Sequence, residues 1–298
     1  LADWLFTGSV AMVNVSICRK ITMLLRAICL LAMCSVQARL AIHWLQADLP
    51  PYFIQQGEFA GQGTLQRLQQ LVQAELPDYQ HHEEWQSLLR REQMLFDTAT
   101  SYCSFGIVKT PERAAIKFSA LVSVGAGYAV TLTEHGKLYQ RWLEAKQPAL
   151  LPWLIKLPDV IGLMESGRAL PELVNQLAPG NMLTLPIATN PLTLLAHQRA
   201  DFLVEYPARA EYLKRTAGMA KLKLHHHFLD ERDVNLSYVA CSPATSDQII
   251  NDINAAIAKA KLHPAYQDIM FSWHEPNQMP VLELLYHRYI GSTDGQEP

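Results

Sequence analysis

Strand-like and helical runs alternate along this chain, and the alternation limits the folds open to it more than any single motif. "LAIHWLQADLPPYFI" reads as a strand from Leu40 to Leu45 that stops at Pro50-Pro51, since proline cannot donate to a central ladder. From Gly63 to Leu76 the apolar positions Leu65, Leu68, Leu71, Val72 and Leu76 recur at helical spacing. The helical "EWQSLLRREQML" then leads into a strand, "SYCSFGIV", from Ser101 to Val108. The middle of the chain repeats this grammar. "VIGLM" (Val160 to Met164) is strand-like, Ser166-Gly167-Arg168 is a turn, and "ALPELVNQLA" is a helix with Pro171 in its first turn. "DFLVEY" (Asp201 to Tyr206) is a short strand stopped by Pro207. Near the end, "LSYVACS" is a strand and Ser246 or Asp247 caps a helix whose apolar stripe is Ile249, Ile250, Ile253 and Ile257. Strands alternating with helices predict an α/β architecture with a largely parallel sheet.

Bulk properties remove several function classes. With 298 residues, 49% of them hydrophobic, the chain can bury a full core and divide into two domains. A formal net charge of −3 gives no footprint for a polyanion, so nucleic acid is not an expected partner. No apolar run after residue 38 is long enough to cross a bilayer. At the N-terminus, Arg19, Lys20 and Arg26 precede the mostly apolar "AICLLAMCSVQA", and Val36 and Ala38 place small residues where a signal peptidase reads. The order predicts a signal peptide cleaved near Ala38 and a periplasmic protein, with a buried N-terminal helix as the alternative. Because the chain opens on Leu1, Met12 or Met23 is a candidate start. A lipid anchor at Cys34 would need a small residue where Met33 stands, so a soluble exported body is favoured. Beyond the leader only Cys103 and Cys241 remain; they form one disulfide or stay as two buried thiols, and they are too far apart for a CxxC pair.

The stretch "GIVKTPERAAIKFS" ends a buried strand with a proline turn and places Arg113 just beyond it. A planar guanidinium matches a carboxylate with two parallel hydrogen bonds and keeps its charge when desolvated, which makes Arg113 a candidate ligand residue. Its alternative is a surface pair with Glu112 or a neighbour. HExxH, GxSxG and Walker sequences are missing, and "GQG" at 61 to 63 lacks the rest of a dinucleotide fingerprint. His81-His82 and His225-His226-His227 are read as solvated loops, because adjacent histidines on a strand point to opposite faces and make a poor metal site. The expectation is therefore no enzyme, no cofactor and no metal.

Three stretches carry a resemblance. "LPPYFIQQGEFAGQGTLQRLQQLV", the Thr110-Pro111-Glu112-Arg113 turn followed by Phe118-Ser119, and "LSYVACSPATSDQIINDINAAIAKAKLHPAYQDIMFSW" ending at Trp273 resemble the type II periplasmic solute-binding proteins of the polar amino acid group, solute-binding protein family 3. The resemblance spans most of residues 40 to 275.

That resemblance implies two lobes, each a mixed sheet flanked by helices, joined by a two-strand hinge. After the leader (1–38), lobe 1 would comprise 39–126 and 236–298 with the C-terminal tail, and lobe 2 would comprise 127–235. The crossings fall near Gly125 to Tyr128 and Asn235 to Tyr238. The returning strand would lie beside "SYCSFGIV", bringing Cys103 and Cys241 together. A ligand would sit in the cleft with its carboxylate on Arg113, beside Thr110. Asp48 and Tyr52 follow the first strand, Ser166, Gly167 and Arg168 replace a Gly-Thr-Thr turn at a helix start, and Tyr206, with Glu205 before it, falls where the family holds the ligand ammonium. Val108 stands where relatives carry a hydroxyl, and Tyr206 where they carry an aspartate. The implied role is a monomer that delivers a small polar, carboxylate-bearing ligand to the membrane permease of an ABC importer. Two other roles fit the fold: a sensory module for a membrane receptor, and a dehydratase-like enzyme using Glu205 or a histidine as general acid.

Overall fold

Two five-stranded sheets, each served by its own helices, organise the body of the chain. The computed structural model describes residues 40–166, 174, 176–177, 180–186, 189–229 and 234–291. The expected export signal at 1–38 and most of the expected helix "ALPELVNQLA" lie outside the described residues. Among the described residues no helix is long and apolar enough to cross a membrane, and no cluster of three metal-ligating side chains forms.

Sheet 1 opens with β1 (Ala41–Gln46). The chain then turns through Leu49–Phe53 and enters α1 (Thr64–Ala74), which buries Leu65, Leu68 and Val72, three of the five residues that announced it. β2 (Gln80–Trp85) pairs parallel to β1, and α2 (Leu88–Leu95) starts after Ser87, whose Oγ accepts from the amide of Arg90 at 3.2 Å. The helix thus begins later than "EWQSLLRREQML" predicts: Glu84 and Trp85 still pair with Leu45 and Gln46. His81 and His82 stand in this edge strand and not in a loop, with Trp44 Nε1 donating to His81 Nδ1 at 3.0 Å. β3 (Tyr102–Ile107), parallel to β1, and β4 (Lys117–Ala126) follow.

From Ala126 the chain crosses into sheet 2 at β5 (Ala129–Thr133) and continues through α3 (Lys137–Ala145), α4 (Leu150–Leu154), β6 (Gly162–Glu165) and β7 (Met182–Leu185). Next come α5 (Pro191–Ala196), β8 (Phe202–Glu205), α6 (Pro207–Thr216) and β9 (Leu224–Phe228). The three histidines of β9, expected in a loop, sit in a strand because each finds a partner. His225 stacks on Tyr139 at 4.2 Å, His226 hydrogen-bonds Thr131 at 2.8 Å, and His227 meets the edge of Trp142 at 4.8 Å.

The chain returns as β10 (Val234–Cys241), antiparallel between β3 and β4. Val234 already pairs with Ala126, so the return is made a little before Asn235, and Leu229 N donates to Tyr128 O at 3.0 Å where the two crossing strands meet. α7 (Asp247–Ala260), capped by the Ser246 hydroxyl on the Ile249 amide, packs Ile249, Ile253 and Ile257 into the lobe 1 core. α8 (Tyr266–Met270) and α9 (Met279–Tyr289) complete that core. Both sheets are mixed, with the orders β2-β1-β3-β10-β4 and β7-β6-β8-β5-β9, two parallel and two antiparallel pairings in each. The largely parallel sheet expected from alternation gives way because one crossing strand inserts antiparallel in each sheet, β10 in sheet 1 and β5 in sheet 2. Cys103 and Cys241 face each other on β3 and β10 and are bonded.

Candidate functional site: the cleft between the sheets

A cavity of about 700 Å³ lies where the two sheets meet, with walls from both. Its lobe 1 wall is set by the proline turn and by α2. Pro111–Arg113 forms one 3-10 turn, its last amide donating to Thr110 O at 3.0 Å, and this swings Arg113 back toward β3. Arg113 then donates from Nε and Nη2 to the two oxygens of Glu92, at 2.6 and 3.0 Å, and from Nη1 to the Val108 carbonyl at 2.7 Å. The alternative of an ion pair is thus present, with Glu92 in place of Glu112. Thr110 instead bonds the Glu112 carboxylate, lowering its pKa, and does not line the cavity.

One helical position away from Glu92, Arg91 also lines the cavity, with only 9% of its surface exposed. Burial lowers its pKa, Glu92 works against that shift, and Arg113 adds to it.

The lobe 2 wall is organised by Arg209, near the start of α6. Nη2 donates to Glu165 Oε1 at 2.6 Å, Nε lies 3.4 Å from Glu205 Oε2, and Nη1 reaches the Pro50 carbonyl of lobe 1 at 2.8 Å. All three side chains are nearly sealed from water, where a guanidinium is tolerated only when its charge is matched. Tyr206 stacks on Tyr128 at 4.0 Å and meets Tyr52 edge-on at 6.5 Å, so three tyrosines from the two sides line the cavity together. Asp48 is there too, accepting from the Gln55 amide at 3.0 Å. Beside the cleft, Trp273 packs with Ile54 and Ala208 and against Tyr212 at 5.3 Å.

No family model matches the chain, and no curated protein matches it in sequence. Solved structures do. An ancestral cationic amino acid solute-binding protein, AncCDT-1, aligns over 79% of this chain and 95% of its own at 17% identity and a TM-score of 0.58. Another structure of AncCDT-1 describes it as an amino acid-binding precursor of cyclohexadienyl dehydratase. The probable amino-acid ABC transporter extracellular-binding protein ytmK from Bacillus subtilis aligns over 85% of this chain and 99% of its own, at 12% identity and a TM-score of 0.56. The chain has the two-lobed type II periplasmic-binding fold. A histidine kinase sensor domain similar to periplasmic binding proteins shares it, at 16% identity and a TM-score of 0.54 over 80% of this chain and 98% of its own.

On this periplasmic-binding fold the expected site residues divide. Arg113, Asp48, Tyr52, Ser166 and Tyr206 line the cleft; Thr110 and Glu205 are not among its lining residues; Gly167 and Arg168 lie outside the described residues. Sequence reading missed Arg91, Arg209 and Glu165. For Arg91 a signal existed, because it lies three and four positions before the buried Met94 and Leu95 and so falls on the apolar face of α2. Nothing in the sequence marks Arg209, whose partners are up to 159 residues away.

Proposed function

We propose that this protein is exported, with its leader cleaved near Ala38, and captures a small polar, carboxylate-bearing ligand between its lobes for delivery to the permease of an ABC importer. The observation that carries this reading is the cavity of about 700 Å³, a size suited to a small solute, walled by arginines and tyrosines from both lobes. A ligand that touches both walls favours the closed arrangement by its differential affinity, and the membrane partner reads that arrangement. Tyr52 and Tyr206 flank the ligand, Asp48 and Ser166 meet its polar edges, and Gly167 and Arg168 extend the Ser166 turn. The carboxylate goes to the lobe 1 wall, which Arg91 and Arg113 line. Glu205 acts through Arg209, and Thr110 holds the Glu112 carboxylate within the turn that carries Arg113. The Cys103–Cys241 bond supports an oxidising compartment. The protein acts as a monomer.

The likeness to a kinase sensor domain supports a second reading, in which the same closure reports the ligand to a membrane receptor. Enzymatic action is less well supported. His274 lines the cleft, but burial holds its pKa at about 4, leaving it neutral and unable to act as a general acid near pH 7. Glu205 already accepts the Tyr206 amide at 2.8 Å and faces Arg209.

Thermal melting and calorimetry of residues 39–298 with amino acids, dicarboxylates and short peptides test the proposal. A saturable rise in melting temperature, with the compound recovered unchanged by mass spectrometry, is expected. Consumption of the compound would move the assignment to an enzyme, and no saturable binding across the panel would reject ligand capture.

A further inference from the structure

We infer that Arg91, and not the turn arginine Arg113, is the group that receives the ligand's carboxylate. The inference rests on the capture reading above and names the atom set that does the capturing.

The two arginines share a wall but differ in what they hold. Each nitrogen of Arg113 has a partner: Nε and Nη2 on Glu92, Nη1 on the Val108 carbonyl. A ligand carboxylate arriving there must displace another carboxylate of the same geometry, which leaves little differential affinity. Arg91 makes no side-chain hydrogen bond and no ion pair among the described residues, and its Nε is shut away from water without an acceptor. Successive residues on a helix face apart, so Glu92 turns to Arg113 and leaves Arg91 without a contacting counter-charge. A guanidinium cannot escape burial by losing its proton under ordinary conditions, so an unmatched one destabilises the protein that carries it. It also lines the cavity, where an incoming carboxylate can meet its planar fork with two hydrogen bonds. By neutralising Arg113, Glu92 leaves Arg91 as the unpaired positive charge of this wall among the described residues, matched to a single carboxylate.

The test compares Arg91→Met with Arg113→Met, using the twenty amino acids and succinate, malate and glutarate as probes, together with the carboxamide analogue of whichever compound binds. Arg91→Met should weaken binding of that compound roughly ten- to a hundredfold, the worth of a charged hydrogen-bonded contact, and should erase the wild-type preference for carboxylate over carboxamide. Arg113→Met should keep that preference. The ligand-free melting temperature of Arg91→Met should rise, because a buried unmatched charge has gone. If wild type binds and Arg91→Met binds equally well, the inference is overturned while ligand capture stands. If wild type binds none of the probes, ligand capture fails, and the ligand-free melt still decides: a rise supports a cation kept for an anion, and a fall shows that Arg91 serves the fold and overturns the inference.

Discussion

The two lobes bury charge in opposite ways. Lobe 2 places Glu205, Arg209, Glu211 and Lys214 within ten residues of one another, all buried and all paired: Arg209 with Glu165 and Glu205, Glu211 with Lys214 at 2.5 Å, and Lys214 with Glu275 at 2.7 Å. The Lys214–Glu275 contact leaves the lobe for the lobe 1 chain segments, and Arg209 reaches them as well through the Pro50 carbonyl. Lobe 1 instead fastens its sheet with the Cys103–Cys241 bond and a broad apolar core, and keeps one buried cation, Arg91, without a partner among the described residues. Matched charges specify how the lobes meet.

The largest effect expected from this contrast is at Arg209. Arg209→Ala removes a buried cation from its carboxylate partners Glu165 and Glu205 and breaks the bond to Pro50, at a cost of about 3–5 kcal/mol. Urea melts read the loss, and scattering should show a wider mean separation of the lobes. A cost no greater than that of Arg91→Met would break the distinction between paired and unpaired charge. Next in size is the disulfide. Its two cysteines are 138 residues apart and enclose all of lobe 2, and replacing both by alanine should cost about 2–4 kcal/mol. Hydrogen exchange should quicken in β3 and β10 first; equal quickening in β6 and β8 would show that the bond serves both lobes.

The sequence displayed the parts of this molecule that are periodic and hid those that depend on distant partners. α1 and α7 announced themselves through leucine and isoleucine stripes that the core now buries. The Thr110–Arg113 turn was legible because proline fixes its backbone, and the mixed sheets followed from the resemblance that turn carries. β2 and β9 escape a sequence reading because "QHHEEW" and "LHHHF" lack an apolar alternation; they are strands because β1 and β5 offer edges and because Trp44, Thr131 and Tyr139 engage His81, His226 and His225. The site was half legible. Tyr52 and Tyr206 could be placed by position, while the partner that occupies Arg113 lies 21 residues upstream on α2 and no spacing rule points to it.

Acid should also separate the lobes, by a smaller amount. Burial pushes His227 and His274 down to about 4 from an ordinary 6.5. Burial works against the charge on Glu211, yet hydrogen bonds from His226 and Lys214 hold its carboxyl at about 2, below an ordinary 4.5. In each case the unfolded chain takes up the proton at higher pH than the folded one, so stability falls as pH drops, first between 6.5 and 4 and then between 4.5 and 2. A loss of about 1–3 kcal/mol between pH 7 and 4 is expected, with lobe 2 and its junction exchanging hydrogen earliest. His227→Phe should flatten the upper part of the profile; an unchanged slope would remove His227 from the account.

The smallest effect belongs to lobe 1 alone. The Ser246 hydroxyl caps α7 through the Ile249 amide at 3.3 Å, and the helix it starts carries Ile249, Ile253 and Ile257 into the main core. Ser246→Ala leaves that amide without its side-chain acceptor and should cost about 1 kcal/mol. Because the cap touches neither the cleft nor α6, ligand affinity and the acid profile should stay as in wild type while the urea midpoint shifts. A change in affinity would mean that α7 senses the cleft, and the lobe 1 scaffold would then be part of the closing movement instead of its fixed frame.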